Sequence, residues 1–131
     1  MFSLAVSDHF MIAHSFKGEI FGPAQKLHGA TYAVELELRR AALDEHGLVA
    51  DIGLLRTLLR EVLEGFDYRN LDAEPAFKNI NTTTEFLARE IWRRAQTRIA
   101  QGALKTSAGL GALKVTLRES PVAWAAYEAP L

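Results

Sequence analysis

His9, His14, His28 and His46 are the side chains of this sequence that change charge nearest neutral pH. With no cysteine anywhere, disulfides, thiolate metal ligands and thiol nucleophiles are all excluded. What remains is proton transfer, hydrogen bonding or metal ligation by imidazole, carboxylate and hydroxyl groups. Lone histidines such as His14 and His28 read either as hydrogen-bonded residues of a half-buried pocket or as groups lining a cleft. His9 lies an odd number of residues from His14, which on a regular strand turns it to the opposite face unless a bulge intervenes. His46 falls in the turn sequence Asp44-Glu45-His46-Gly47. Asp67 and Tyr68 stand together in a loop, where a phenol with a pKa near ~10 is a poor base at neutral pH but a usable donor. Glu119 reads as a strand-end carboxylate, a group that accepts two parallel N–H donors at once. Thr82, Thr83, Thr84 and Glu85 open a helical run, and Thr82 with Glu85 has the spacing of a capping box.

These groups need elements to hold them. Phe2, Leu4 and Val6 alternate with Ser3, Ala5 and Ser7, the period of two that predicts a strand with one buried face. A turn-rich stretch from Ser15 to Lys26 follows, and Tyr32, Val34, Leu36 and Leu38 then alternate with Glu35, Glu37 and Arg39 in a second strand. From Ile52, with Asp51 as its cap, Leu55, Leu58, Leu59, Val62 and Leu63 keep helical spacing. A loop from Asp67 to Ile80 precedes a second helix through Ala88, Ile91, Trp92, Ala95 and Ile99. After a linker from Gly102 to Gly111, Leu113, Val115 and Leu117 alternate with Lys114, Thr116 and Arg118, and a last strand runs from Val122 to Tyr127. Strand, strand, helix, helix, strand, strand is an α+β order in which both helices cover one face of an antiparallel sheet. The other face, with Glu35, Glu37, Lys114 and Thr116, is expected to meet water or another subunit.

The 131 residues suit one domain, residues 1–131, and 49% hydrophobic with 24% charged residues is a globular composition rather than a disordered one. A formal net charge of -1 leaves no excess of Lys and Arg to hold a phosphate backbone, so nucleic acid is not an expected partner. The stretch from Met1 to Ile12 is neither a basic leader with an apolar run nor a membrane span. A cytoplasmic protein without a membrane partner is the expectation.

Six groups of residues then occur in a telling order: Phe10-Met11-Ile12-Ala13-His14, Leu27-His28-Gly29-Ala30-Thr31-Tyr32, Gly47-Leu48-Val49-Ala50-Asp51, Asp67 with Leu71, Thr83-Thr84-Glu85, and Arg118-Glu119 with Tyr127. Over residues 2 to 128 this pattern resembles the 6-pyruvoyl-tetrahydropterin synthase and 6-carboxytetrahydropterin synthase family. The resemblance implies a ββααββ tunnelling fold, or T-fold. It also implies a homo-oligomer, hexameric in that family, whose sheets close into a barrel with a small-molecule pterin bound between subunits.

The resemblance also assigns roles. His14 and His28 fall at two zinc-ligand positions, but the third, two residues beyond His28, is Ala30; His9 is the candidate for the missing ligand if a bulge turns it to the same face. The position of the synthases' catalytic cysteine is Ala24, which has no titratable group. Glu19 shares that loop, offset by several residues from the glutamate that some relatives use. The family's Asp-His pair reads Asp67-Tyr68, so His14, His28, Asp67 and Tyr68 are the candidate catalytic residues. Glu119 falls where a carboxylate holds the pterin ring, and Thr83 and Thr84 where the ring pocket is lined. Two functions follow: a lyase or aldolase acting on the side chain of a dihydropterin such as dihydroneopterin or its triphosphate, or a pterin-binding homologue without turnover, serving as carrier, sensor or partner subunit.

Overall fold

The computed structural model describes residues 1–105 and 108–131; Thr106 and Ser107 of the expected linker lie outside the described residues. Strand β1, Phe2–His14, pairs antiparallel with β2, His28–Arg40, without a register shift from Phe2↔Arg40 to His14↔His28. Helix α1, Ile52–Glu64, is followed by the two-residue strand β3, Arg69–Asn70, and then by helix α2, Thr84–Ala100. Strands β4, Leu110–Ser120, and β5, Ala123–Pro130, complete a sheet of order β3-β1-β2-β4-β5.

Two details correct the expectation from sequence. Strand β3 runs parallel to β1, so the sheet is mixed rather than wholly antiparallel. The cause is local: the Tyr68 N–H donates to the Met11 carbonyl at 2.7 Å, which lays the following pair along the edge of β1. The last strand also extends past Tyr127 to Pro130, because its pairing with β4 continues to Ala112↔Pro130.

Alternation places the core. Val6, Phe10, Ile12 and His14 of β1, Tyr32, Val34, Leu36 and Leu38 of β2, and Leu113, Val115 and Leu117 of β4 are buried on one face. Against them lie Leu55, Leu58, Leu59, Val62 and Leu63 of α1 and Leu87, Ala88, Ile91, Ala95 and Ile99 of α2. Fully burying each Val, Leu, Ile or Phe side chain of this layer contributes about 1.5–3 kcal/mol, so the shared layer fixes the helices on the sheet. The opposite face carries ion pairs instead, Arg39 to Glu37 at 2.9 Å and to Glu128 at 2.7 Å. No helix among the described residues is long and apolar enough to cross a membrane.

The cap of α1 is as expected, with Asp51 Oδ1 accepting from the Leu54 N–H at 2.9 Å. That of α2 is displaced by one residue. Thr83, not Thr82, is the N-cap, its hydroxyl accepting from the Phe86 N–H at 3.2 Å. Phe86 then stands where a capping box needs Glu or Gln, and Thr82 is freed for another partner.

Candidate functional site

The unbroken register of β1 and β2 sets His14 and His28 directly opposite each other at one end of the sheet, with ring centroids 4.6 Å apart. Each ring is held by its Nδ1. In His14 this atom is 3.0 Å from the hydroxyl of Thr82, which is itself buried. In His28 it donates to the Lys26 carbonyl at 2.8 Å, which places a proton on Nδ1 because a carbonyl can only accept. Among the described residues neither Nε2 has a hydrogen-bond partner. Phe16 packs against both rings, 4.6 Å from His14 and 5.7 Å from His28.

His14 is 1% exposed. Burial, followed by the neighbouring His28, lowers its pKa from 6.5 to about 4, while Asp72 and the contact with Thr82 act weakly in the opposite direction. It is therefore uncharged at neutral pH and presents a lone pair rather than a positive charge. Asp72 is occupied by Ser15, accepting from its N–H at 3.1 Å and its hydroxyl at 2.5 Å.

The other expected residues separate into two groups. Thr84 and Glu119 meet, with Oγ1 3.5 Å from Oε1, at the start of α2 and the end of β4. The register that pairs Ala33 with Arg118 sets Glu119 alongside Tyr32, four residues along β2 from His28, a distance of about 13 Å. Thr83 is the helix cap already described.

Asp67 and Tyr68 do not join them. The Asp67 carboxylate accepts from the Met11 N–H at 2.9 Å and from Arg60 at 3.0 Å, tying β1 to the end of α1. Tyr68 is 83% exposed at the sheet edge, and its φ of 58 puts it in the left-handed region that non-glycine residues rarely adopt. His9 lies on the open face of the sheet, opposite to that of His14, because β1 has no bulge there. The bulge that His9 would need to complete a metal site with His14 is absent from β1.

A family model described as 6-pyruvoyl tetrahydropterin synthase matches residues 3–130. The chain belongs to this family. Within it, 6-pyruvoyl tetrahydrobiopterin synthase of Dictyostelium discoideum is 34% identical over 76 residues, 56% of this chain and 56% of that protein. The matched stretch thus spans about half the length of that relative. The 6-carboxy-5,6,7,8-tetrahydropterin synthase of Bacillus subtilis is 25% identical over 130 residues, 96% of this chain and 84% of that protein. The structure of Caenorhabditis elegans 6-pyruvoyl tetrahydropterin synthase superposes with a TM-score of 0.81 at 24% identity, covering 98% of this chain and 95% of that one. This last likeness carries the fold, and the family match carries membership in a group of pterin-processing synthases.

Zinc chemistry needs a donor set, and one chain supplies too little of it. A catalytic zinc takes three protein ligands and an open position. His14 and His28 have Nδ1 anchored and Nε2 spare, which is how ligand imidazoles are commonly oriented. The third place on β2 is the methyl group of Ala30, and no group of three His, Asp or Glu side chains able to hold a metal occurs among the described residues. The residues present do not fit the three-ligand site.

Sequence reasoning missed Thr82 and Phe16. Thr82 stood in plain view as a cap candidate, and its true partner lies 68 residues earlier.

Proposed function

We infer that this protein binds a reduced pterin and acts on its side chain as a lyase or aldolase. The ring would sit at Glu119 and Thr84, and the side chain would reach toward His14 and His28. The observation that supports this reading is the imidazole pair. Two rings are fixed through Nδ1 with Nε2 spare, one of them uncharged at neutral pH, about 13 Å along β2 from a carboxylate–hydroxyl pair. That separation suits a bicyclic ring with a short polyol arm. An uncharged His14 can accept a hydrogen bond from a side-chain hydroxyl, and the donor-rich ring edge matches the Glu119 carboxylate.

Asp67 and Tyr68 have no part in this proposal within one chain, since the first is engaged by Met11 and Arg60 and the second points to solvent. Those two facts, with Ala24 and Ala30, favour the second reading, a pterin-binding protein without turnover. The open sheet face, where Ser3, Ala5 and Ser7 are exposed, supports the further reading that copies of the chain assemble into a barrel.

The deciding experiment incubates the protein with 7,8-dihydroneopterin and with its triphosphate, following products by liquid chromatography and mass spectrometry and binding by titration calorimetry. A pterin with an altered or shortened side chain is the expected result. Binding without product would leave the carrier, sensor or partner-subunit reading. No binding of either compound would overturn both.

A further inference from the structure

Tyr32 is a completely buried side chain with an unmet need. It is 0% exposed, its ring stacks on Phe10 at 5.2 Å, and among the described residues its buried hydroxyl makes no well-formed hydrogen bond, although the Thr84 hydroxyl stands near it. Buried hydroxyls are nearly always partnered, and leaving one unmet is costly, so such an exception calls for an explanation. Phenylalanine would fill the same space without that cost. Where the hydroxyl sits gives the reason: its surroundings are Thr84, Glu119 and Glu85, the groups at the start of α2 and the end of β4. Burial raises its pKa, opposed by the neighbouring Thr84 hydroxyl and reinforced by the two carboxylates, so the phenol keeps its proton and remains a donor.

We propose that Tyr32 is a positioning residue of the ring site, orienting Thr84 so that the site selects a ring carbonyl beside two N–H donors. This rests on the pterin reading above. The orphan hydroxyl and the long 3.5 Å contact between Thr84 and Glu119 are two halves of one incomplete network. When a ring edge occupies the Glu119 carboxylate, its N–H groups supply the protons that the carboxylate accepts. The Thr84 hydroxyl then no longer needs to face Glu119. Tyr32 donates to Thr84 Oγ1, and Thr84 turns its own proton outward to the carbonyl next to the bound N–H. The floor donates, the relay passes the donor character on, and the ligand must present an acceptor there. A 2-amino-4-oxo ring edge meets that demand. A 2,4-diamino edge presents a donor in the same place and does not.

The test compares wild-type protein, Tyr32→Phe and Thr84→Val, measuring thermal melting and the affinity for 7,8-dihydroneopterin and for its 2,4-diamino analogue. Wild type should prefer the oxo compound. Tyr32→Phe should melt at or above the wild-type temperature, since it removes an orphan, yet bind the oxo compound about tenfold more weakly with the diamino affinity unchanged. Thr84→Val, at the half-buried start of α2, breaks the same relay outside the core and should lose the same preference. Undiminished oxo affinity in Tyr32→Phe, with wild type binding normally, overturns the role of Tyr32 and leaves the pterin reading standing. An equal loss for both compounds accompanied by a lower melting temperature makes Tyr32 purely structural and also overturns it. Failure of the wild type to bind either compound overturns the pterin reading and this inference with it.

Discussion

The Thr82 hydroxyl lies 3.0 Å from His14 Nδ1, joining the residue before the cap of α2 to the last residue of β1. Both side chains are 1% exposed, so the contact is sheltered from water and the imidazole cannot find a substitute partner. Thr82→Val keeps the volume and removes the hydroxyl. It should lower stability by about 1–3 kcal/mol, the cost of an unmet buried polar group, with Thr82→Ser close to wild type. Urea unfolding at pH 7 measures both.

The same burial makes stability depend on pH. His14 has a folded pKa of about 4 against 6.5 for an unperturbed imidazole, so between those values the unfolded chain binds the extra proton. Stability from this residue is therefore full above pH 6.5 and is lost as pH falls toward 4. The loss approaches roughly 3 kcal/mol, at about 1.4 kcal/mol per unit of pH. Unfolding curves at pH 7 and pH 5 should show the difference, and His14→Gln should abolish its share. Equal pH dependence in that variant would refute the assignment.

Asp67 should behave as a structural residue. Its carboxylate accepts from the Met11 N–H and from Arg60, and both contacts hold the first strand against α1. With the partners partly exposed, Asp67→Ala should cost about 1–2 kcal/mol in stability. A variant that melts like wild type would contradict the tie seen here.

How far these residues could be read from sequence follows from the range of their contacts. Tyr32, Val34, Leu36 and Leu38 announced their strand because alternation is local, and the spacing of Leu55, Leu58, Leu59, Val62 and Leu63 announced α1 for the same reason. His14 beside His28 was implied only by the family pattern, and the register then placed them face to face. Strand β3 has two residues and no period to detect. Thr82 carried a legible signal that pointed to the wrong role, since its spacing to Glu85 suits a cap while the capping hydroxyl is that of Thr83. The orphan hydroxyl of Tyr32 had no signal at all, because an apolar-face tyrosine reads simply as core.

Glu119 is the second carboxylate whose loss separates roles. Glu119→Ala should leave folding nearly unchanged, because the side chain is exposed and its contact with Thr84 is a long 3.5 Å. Affinity for dihydroneopterin should fall by about 1–3 kcal/mol for each ring donor left without an acceptor. Calorimetry that finds unchanged affinity would remove Glu119 from the ring site.

Zinc retention tests the reading of Ala30. Two imidazoles make a weak site, so protein purified without an affinity tag and dialysed against a mild chelator should carry well under one zinc per chain. Side chains two apart on a strand share a face, so Ala30→His would set a third imidazole on the face that His28 and His14 occupy. Zinc content after the same dialysis should then rise to about one per chain, with the melting temperature increasing on zinc addition. Stoichiometric zinc in the wild type would mean that a donor beyond these two histidines completes the site. An unchanged, empty Ala30→His variant would mean that the pair is held too far from the third position to share an ion.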